Sequence, residues 1–344
     1  MRSVQAINGP ASSRGLRFSE HPFWHDLPEI VPELERVREL VVSEAESAGG
    51  PIGDALSRYV ARPGKMLRPG FVLIGAWAGR RDPGRPVPDR IVRVAAAIET
   101  LHIATLIHDD VIDDADRRRG EPSLHALYGR KQAVLMGDYL LSRCFTMVAE
   151  ETERENALRL AAATGHLVRG EINQTFGASA DRLSRRGYLR RIAGKTAVLF
   201  GMSLVTGAAE AKARPRDIAI LWRVGYNLGI AFQIVDDILD FTSRSDALGK
   251  PVASDLRAGI YTLPVIEAVH RNDELRARVV PAPTEQRAIE EIVRAIRDSG
   301  GIRAARAAAT AYTDRARDAI RRLPHAEQRR ALGLVAEKLL SREL

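Results

Sequence analysis

Two acidic clusters of the same form occur in this 344-residue chain. Each has the spacing D-D-x-x-D and ends a long apolar stretch. Residues four apart lie on one face of a helix, where like charges repel, and carboxylates at a helix C-terminus also oppose the helix dipole. A cation offsets both costs, and Mg²⁺ prefers a few carboxylates together with water and phosphate oxygens. The clusters consist of Asp109, Asp110, Asp113, Asp236, Asp237 and Asp240.

The repetition of the cluster favours a metal site over a solvated helix end. A single D-D-x-x-D is as consistent with a charged surface as with a ligand set. Two copies at identical spacing predict two facing walls, between which two or three Mg²⁺ ions would hold a diphosphate. Asp114, Asp116 and Arg117, which lie just after the first cluster, are interpreted as solvated charges.

Cationic and polar side chains that suit phosphate accompany both clusters. Arginine offers a planar fork to phosphate oxygens, whereas lysine offers a point charge. Lys195 lies inside an apolar helical pattern, where an unpaired lysine would be costly. His102 precedes Asp109 by about two helical turns, on the same face. The other candidate phosphate ligands are Lys65, Arg68, Arg118, Arg119, Thr196 and Lys250.

Long helical patterns position these residues. Apolar residues repeat at helical spacing, aromatic residues are only 5%, and β-branched alternation is scarce, so the chain is predicted to be all-α. Gly49 and Gly50 are predicted to end the first helix, and Gly300 and Gly301 to divide the C-terminal helices. The absence of a composition break predicts one domain over residues 21–344, after a disordered tail at 1–20. The main predicted helices span 31–47, 89–110, 131–151 and 221–241.

Composition limits the class of protein. The net charge of +8 suits nucleic acid, an anionic membrane surface or a polyanionic small molecule, but only the last fits paired acidic clusters. The single cysteine, Cys144, excludes an internal disulfide and suits a reducing compartment. No uninterrupted apolar run approaches the roughly 20 residues that span a bilayer. We therefore expect a cytoplasmic protein that binds no nucleic acid and is not an integral membrane protein.

Six segments, in order and at similar spacing, resemble the trans (all-E) polyprenyl diphosphate synthases over about residues 25–344. The resemblance implies an isoprenoid synthase type I fold, in which long helices surround a deep central cavity, and usually a homodimer. The implied substrates are isopentenyl diphosphate and an allylic prenyl diphosphate, with a transient contact to a membrane surface during product release. The segments are "GKMLRP", "LIHDDVIDDADRRRGEPSLHALYG", "VLMGDYLLSR", "GKTAVLF", "GIAFQIVDDILDF" and "GKPVASDLRAGIYTLPVI".

The resemblance also implies roles for the residues, with all six aspartates and Lys195 as catalytic residues. Asp109, Asp113 and Asp236 would be ligands of Mg²⁺, and the other three aspartates would support them. The residues implied for the allylic diphosphate are Arg118, Lys195, Thr196, Gln233 and Lys250. Those implied for isopentenyl diphosphate are Lys65, Arg68, His102 and Arg119. Ile260 stands where many members have a lysine, which predicts a changed affinity and retained activity.

Product length depends, by the same resemblance, on residues just before the first cluster. Ala104 and Thr105 are small, which predicts passage of a growing chain and a C30–C50 product of the kind used as a quinone side chain. Leu101, Phe145 and Met147 are candidates for the floor of the tunnel, and plain core packing explains them equally well. A geranylgeranyl or farnesyl diphosphate synthase is the nearest alternative.

Two further alternatives fit less well. Class I terpene cyclases share the first motif, but their second metal site usually mixes Asn/Asp, Ser/Thr and Glu. A non-catalytic partner subunit of a heteromeric synthase usually lacks the aspartates, and this chain has all six.

Overall fold

A computed structural model of the chain describes residues 18, 21, 23–61, 64–79, 86–118, 120–176, 183–242, 252–283 and 285–341. These residues form a bundle of helices with one two-stranded hairpin. The predicted tail at 1–20 lies outside the described residues except for Phe18, whose ring is buried in the core.

The helices of the first half are α1 Val31–Glu46, α2 Gly50–Val60, α3 Leu67–Ala76, α4 Asp89–Ile112, α5 Leu124–Tyr128, α6 Arg130–Glu151 and α7 Arg154–Phe176. Those of the second half are α8 Arg185–Ile192, α9 Val198–Glu210, α10 Pro215–Thr242, α11 Ser254–Arg257, α12 Leu263–Val269, α13 Asp273–Val279, α14 Gln286–Asp298, α15 Gly301–Ile320 and α16 Ala326–Leu340. The hairpin strands are β1 Arg117–Arg118 and β2 Glu121–Pro122.

The predicted all-α, single-domain fold is confirmed. The four main predicted helices correspond to α1, α4, α6 and most of α10, and the glycines at 300–301 separate α14 from α15. Gly49 and Gly50 do interrupt the chain, but a new helix begins at Gly50 because Pro51 occupies a first-turn position, where a missing N–H costs nothing. The hairpin was not predicted.

Helix α10 joins the two halves of the core. Its N-terminal part belongs to one apolar cluster with residues of α3, α4, α6 and α9, and its C-terminal part belongs to a second cluster with residues of α12, α14 and α15. Its largest packing interfaces are with α15 and α9. Helices α3 and α9 approach closely at Gly207, where a Cβ atom would lie only 1.9 Å from the Val72 carbonyl oxygen. The acidic clusters lie at the C-terminal ends of α4 and α10, two helices that are largely buried in the core.

The expectation that no segment is apolar enough to span a membrane needs correction. Three stretches are long and apolar enough by length and composition, namely Asp89–Ile112, Arg185–Glu210 and Pro215–Thr242. Of their most apolar windows, 72%, 72% and 56% are buried inside the protein. Most residues of these apolar windows therefore pack against other parts of the protein, as is typical of central helices.

Candidate active site

The first acidic cluster ends α4, and its second aspartate is a structural anchor. The Asp110 side chain is only 3% exposed, and both its oxygens accept from Arg118 Nε, at 2.6 and 2.8 Å. Arg118 reaches back because the chain reverses through Asp114, which has a left-handed φ of 53°, and then forms the β1–β2 hairpin. The buried charge is thus paired by a fork geometry, as a buried carboxylate requires.

The other two aspartates of the first cluster have more open carboxylates. The Asp109 side chain is half-buried, and its Oδ2 lies 3.7 Å from Lys195 Nζ. Asp113 is exposed at the end of the helix and donates its backbone N–H to the Asp109 carbonyl oxygen. Asp114, Asp116 and Arg117 are exposed as predicted, although Asp114 also pairs with Arg130 at 2.5 Å.

Lys195 and Thr196 lie on one turn of π-helix, Ala193–Ala197, between α8 and α9. Single π-helical turns inside α-helices are frequent at functional sites. Lys195 reaches Asp109 on α4, whereas the Thr196 hydroxyl donates to Gln233 Oε1 on α10 at 2.8 Å. A single turn therefore contacts both helices that carry the acidic clusters, α4 at Asp109 and α10 at Gln233.

Close packing at Gly229 holds this turn against α10. A Cβ atom at Gly229 would lie 2.5 Å from the Ala197 Cα, nearer than side chains approach backbone atoms. Only glycine allows the π-helical turn and α10 to come this close.

The second acidic cluster repeats the division between open and buried carboxylates. Asp236 is exposed, whereas Asp237 is buried and accepts from the Tyr188 hydroxyl at 2.6 Å and from Gln233 Nε2 at 3.0 Å. Burial and the nearby charge of Asp255 raise the pKa of Asp237 well above its usual range, against the two hydrogen bonds that favour the carboxylate. The pKa of Tyr188 is also raised, by burial and by Asp237.

Asp240, the third aspartate of this cluster, holds the following segment. Its carboxylate accepts from the Ser254 hydroxyl at 2.9 Å, the Ser254 N–H at 3.1 Å and the Asp255 N–H at 3.3 Å. It therefore satisfies the first amides of α11, as a helix cap does. Ala253, before this turn, has a left-handed φ of 58°.

A pocket lies beside the first cluster, between α1, α2 and α4. His102 and Arg118 supply polar groups to its lining, and Gly64 and Met66 come from the "GKMLRP" segment. Met66 has a φ of 47°, a strained conformation that is found at functional sites. The pocket is lined by Arg38, Val41, Tyr59, Val60, Gly64, Met66, Glu99, His102, Ile103, Leu106 and Arg118.

The remaining predicted phosphate ligands are only partly located. Lys65 is half-buried just before α3, and its carbonyl oxygen accepts from Trp24 Nε1 at 2.6 Å. Arg68 lies in the first turn of α3, with its guanidinium 5.1 Å from the Phe200 ring centre. Arg119 and Lys250 lie outside the described residues. Ile260 is half-buried in the turn before α12.

The residues predicted to control product length differ in their burial. Ala104 is buried, and Thr105 is half-buried with its hydroxyl donating to the His102 carbonyl oxygen. Leu101 and Met147 are buried between helices. Phe145 is 50% exposed, so the prediction that it lies at a tunnel floor or in the core is wrong. The apolar run around it is too continuous to show which face of α6 is buried.

The open carboxylates suit a hard divalent cation. Asp109, Asp113 and Asp236 offer oxygen donors, and Mg²⁺ takes few carboxylates while keeping water and phosphate oxygens. Among the described residues, no group of three His, Cys, Asp or Glu side chains is arranged to hold a metal ion by itself. The donor set fits an ion whose shell is completed by a diphosphate.

Sequence reasoning missed Tyr188 and Asp255. Both join the second cluster, Tyr188 by its bond to Asp237 and Asp255 by its charge. Tyr188 is seven residues before Lys195, two helical turns earlier, and this spacing was the available signal.

Comparison with known proteins gives one family. A polyprenyl synthetase family model matches residues 51–298. Heptaprenyl diphosphate synthase component 2 of Geobacillus stearothermophilus is 37% identical over 306 residues, which cover 88% of this chain and 92% of that protein. Nonaprenyl diphosphate synthase of Mycobacterium tuberculosis is 34% identical over 316 residues, covering 90% of this chain and 92% of that protein.

A solved structure agrees with these sequence matches. The polyprenyl synthase of Caulobacter crescentus, complexed with calcium and isoprenyl diphosphate, superposes with a TM-score of 0.84 at 32% identity. The match covers 92% of this chain and 96% of that chain. With its paired acidic clusters and its all-helical fold, the chain belongs to the polyprenyl synthetase family of prenyltransferases.

Proposed function

We propose that the protein condenses isopentenyl diphosphate with an allylic diphosphate, in a Mg²⁺-dependent reaction, to give a C30–C50 all-trans polyprenyl diphosphate. The observation that carries the proposal is the π-helical turn, because Lys195 contacts Asp109 and Thr196 contacts Gln233. These two contacts support a site shared by both acidic clusters, with Lys195 as its cation. Calcium and isoprenyl diphosphate in the Caulobacter crescentus structure support a divalent cation and this substrate class.

Each group has a role in binding the allylic diphosphate. Lys195 and Arg118 supply positive charge, and Thr196 and Gln233 supply polar contacts at the second wall. Asp109, Asp113 and Asp236 would hold Mg²⁺, which neutralises the diphosphate and makes it a better leaving group. The pocket beside His102 and Arg118 has apolar walls at Ile103 and Leu106, which suits a small molecule with a charged head and a short alkene.

The reaction then needs positioning and charge stabilisation. The allylic C1–O bond breaks, and its electron pair leaves with the diphosphate. Lys195 and Arg118 stabilise that charge where it develops. The isopentenyl double bond attacks C1, and the proton lost to restore the alkene passes to the departed diphosphate. No aspartate is required as a base.

The direct test is elongation by the purified chain. The protein is incubated with farnesyl diphosphate, labelled isopentenyl diphosphate and Mg²⁺, and the dephosphorylated products are sized. Asp109→Ala and Asp236→Ala are each expected to abolish turnover with the helical signal intact. Asp314→Ala, which removes an exposed aspartate from α15, is the matched control. Normal rates in either site variant would refute the shared metal site.

Product length is tested at Thr105. Ala104 and Thr105 are small, and we propose that the growing chain passes them. Thr105→Phe is expected to shift the product toward C15–C20. Thr146→Phe is the control, since Thr146 is also half-buried with its hydroxyl bonded to a preceding carbonyl, on α6. A wild-type ladder that stops at C20 would favour the short-chain alternative.

We propose that two copies pair through an apolar face of α6 and α7. Large apolar side chains are exposed there, and monomers rarely leave such faces uncovered. They are Val134, Leu135, Phe145, Leu158, Val168 and Ile172. Phe145→Glu should shift the mass in solution from dimer to monomer, whereas Ile52→Glu, at an exposed residue of α2, should not. A monomeric wild type would refute this pairing.

The partner and the location complete the proposal. One similar protein is named component 2 of a heptaprenyl diphosphate synthase. The six aspartates favour catalysis by this chain itself, so we expect activity without a second protein. Activity only on addition of a second protein would assign the chain to a heteromeric enzyme.

We place the protein in the cytoplasm, where both diphosphates are soluble, because its apolar helices are largely buried.

A further inference from the structure

The buried Tyr188 hydroxyl begins a chain of hydrogen bonds that ends at the proposed diphosphate site. Tyr188 is fully buried and donates to Asp237 Oδ2 at 2.6 Å. Asp237 Oδ1 accepts from Gln233 Nε2 at 3.0 Å, and Gln233 Oε1 accepts from the Thr196 hydroxyl at 2.8 Å. Three elements, α8, α10 and the π-helical turn, are thereby linked through four side chains.

We propose that Tyr188 is a positioning residue that fixes the orientation of the Gln233 amide, whose second N–H then donates to the allylic diphosphate. The inference rests on the function proposed above. Tyr188 is too deeply buried to touch substrate, so it acts through Asp237.

The donor and acceptor roles along this chain follow from the carboxylate. Both Asp237 oxygens accept hydrogen bonds, Oδ2 from the Tyr188 hydroxyl and Oδ1 from Gln233, so the Gln233 group that faces Asp237 is the NH₂. The Gln233 carbonyl oxygen then faces Thr196, whose hydroxyl must donate to it. The Thr196 proton is therefore directed at Gln233, and the amide of Gln233 has one orientation instead of two.

Packing keeps Tyr188 in place. The guanidinium carbon of Arg191, one turn later in α8, lies 5.5 Å from the centre of the Tyr188 ring. Arg191 also donates to the Tyr261 carbonyl oxygen at 2.7 Å, in the turn before α12. The Tyr188 ring is thus held between the Arg191 guanidinium and the apolar cluster that includes α12, α14 and α15, and its hydroxyl points at Asp237.

The test compares two tyrosines of the same core. Tyr188→Phe is expected to raise the KM for the allylic diphosphate about tenfold, as loss of a group that orients a binding residue typically does. The KM for isopentenyl diphosphate should stay within about twofold, because the pocket beside His102 lies on the other wall. Tyr261→Phe is the matched control, since Tyr261 is also buried and its hydroxyl donates to the Val279 carbonyl oxygen at 3.0 Å.

The outcomes separate this inference from the proposed function. Equal kinetics for Tyr188→Phe and Tyr261→Phe would overturn the positioning role. So would a Tyr188→Phe variant in which the KM for the allylic diphosphate and the KM for isopentenyl diphosphate rise equally. If Tyr188→Phe does not fold, Asp237→Asn gives the answer. Its NH₂ can donate to Gln233 and reverse that amide, so the same selective rise is expected, and an unchanged allylic KM would overturn the inference. A wild type without elongation activity would instead refute the proposed function.

Discussion

Gly229→Ala tests whether close helix packing positions the π-helical turn that carries Lys195 and Thr196. The added Cβ atom would lie 2.5 Å from the Ala197 Cα, whereas ordinary contact begins at 3.4 Å, so the backbones must separate by about 0.9 Å. The same atom would also lie 3.1 Å from the Ala197 Cβ and 3.2 Å from the Phe200 Cβ. The atoms that must move are backbone or directly attached to it, so a rotamer change cannot relieve the clash.

The expected magnitude combines two opposing effects. Overpacking typically costs about 1–3 kcal/mol. Replacing glycine by alanine inside a helix recovers roughly 0.5–1 kcal/mol. We therefore expect the free energy of unfolding to fall by about 0.5–2 kcal/mol. A shift near 1 Å at Thr196 would also break its 2.8 Å bond to Gln233, and misplacement on this scale can cost about 10²-fold in rate.

The assay measures stability and turnover on the same samples. Chemical denaturation gives the free energy of unfolding, and elongation gives kcat/KM for the allylic diphosphate, expected to fall about tenfold to a hundredfold. Gly333→Ala is the matched control, because a Cβ atom at this α16 glycine has no described atom within 4 Å. It should gain stability and keep its activity. A Gly229→Ala variant with full activity despite lowered stability would refute the link between this packing and the site.

Arg118→Ala is expected to lower the free energy of unfolding by about 2 kcal/mol, because Asp110 would stay buried without its cation. The Arg118 side chain is 26% exposed, so the cost is smaller than for a fully buried ion pair. An unchanged denaturation midpoint would contradict this. Burial raises the pKa of Cys144 to about 12, so its contribution to stability is complete below pH 9.0 and is lost as the pH rises toward 12. Ellman's reagent at pH 8 should label it only as fast as the protein unfolds. Asp240→Ala should expose the segment at Ser254 to limited proteolysis, since three donors lose their acceptor; an unchanged cleavage pattern would show that Asp240 does not hold this segment.

The fold was largely predictable because its signals are local. Apolar periodicity and glycine or proline breaks placed α1, α4, α6 and α10, and these signals act within one element. Which face of each helix is buried was harder to predict. Phe145 belongs to a run whose apolar residues surround the helix, so periodicity could not separate its buried face from its exposed one.

The composition of the candidate site could be proposed from the sequence, but the different surroundings of its aspartates could not. The spacing singled out the six aspartates, because a repeated D-D-x-x-D is visible in the sequence itself. Which aspartate is open depends on partners distant in sequence. Asp110 meets Arg118 only after the chain reverses at Asp114, and Asp237 meets Tyr188 across 49 residues.

The doubled aspartate of each cluster serves two purposes because of helix geometry. Successive residues on a helix point about 100° apart, so two adjacent carboxylates cannot both face the same ion. In each cluster the first carboxylate is open, at Asp109 and Asp236, and the second is buried with dedicated donors, at Asp110 and Asp237. The donors differ, a guanidinium in one case and a hydroxyl with an amide in the other. The hydrogen bonds of the buried carboxylate thus help to fix the rotation of its helix, and that rotation sets the direction of the more exposed carboxylate that we propose as a Mg²⁺ ligand.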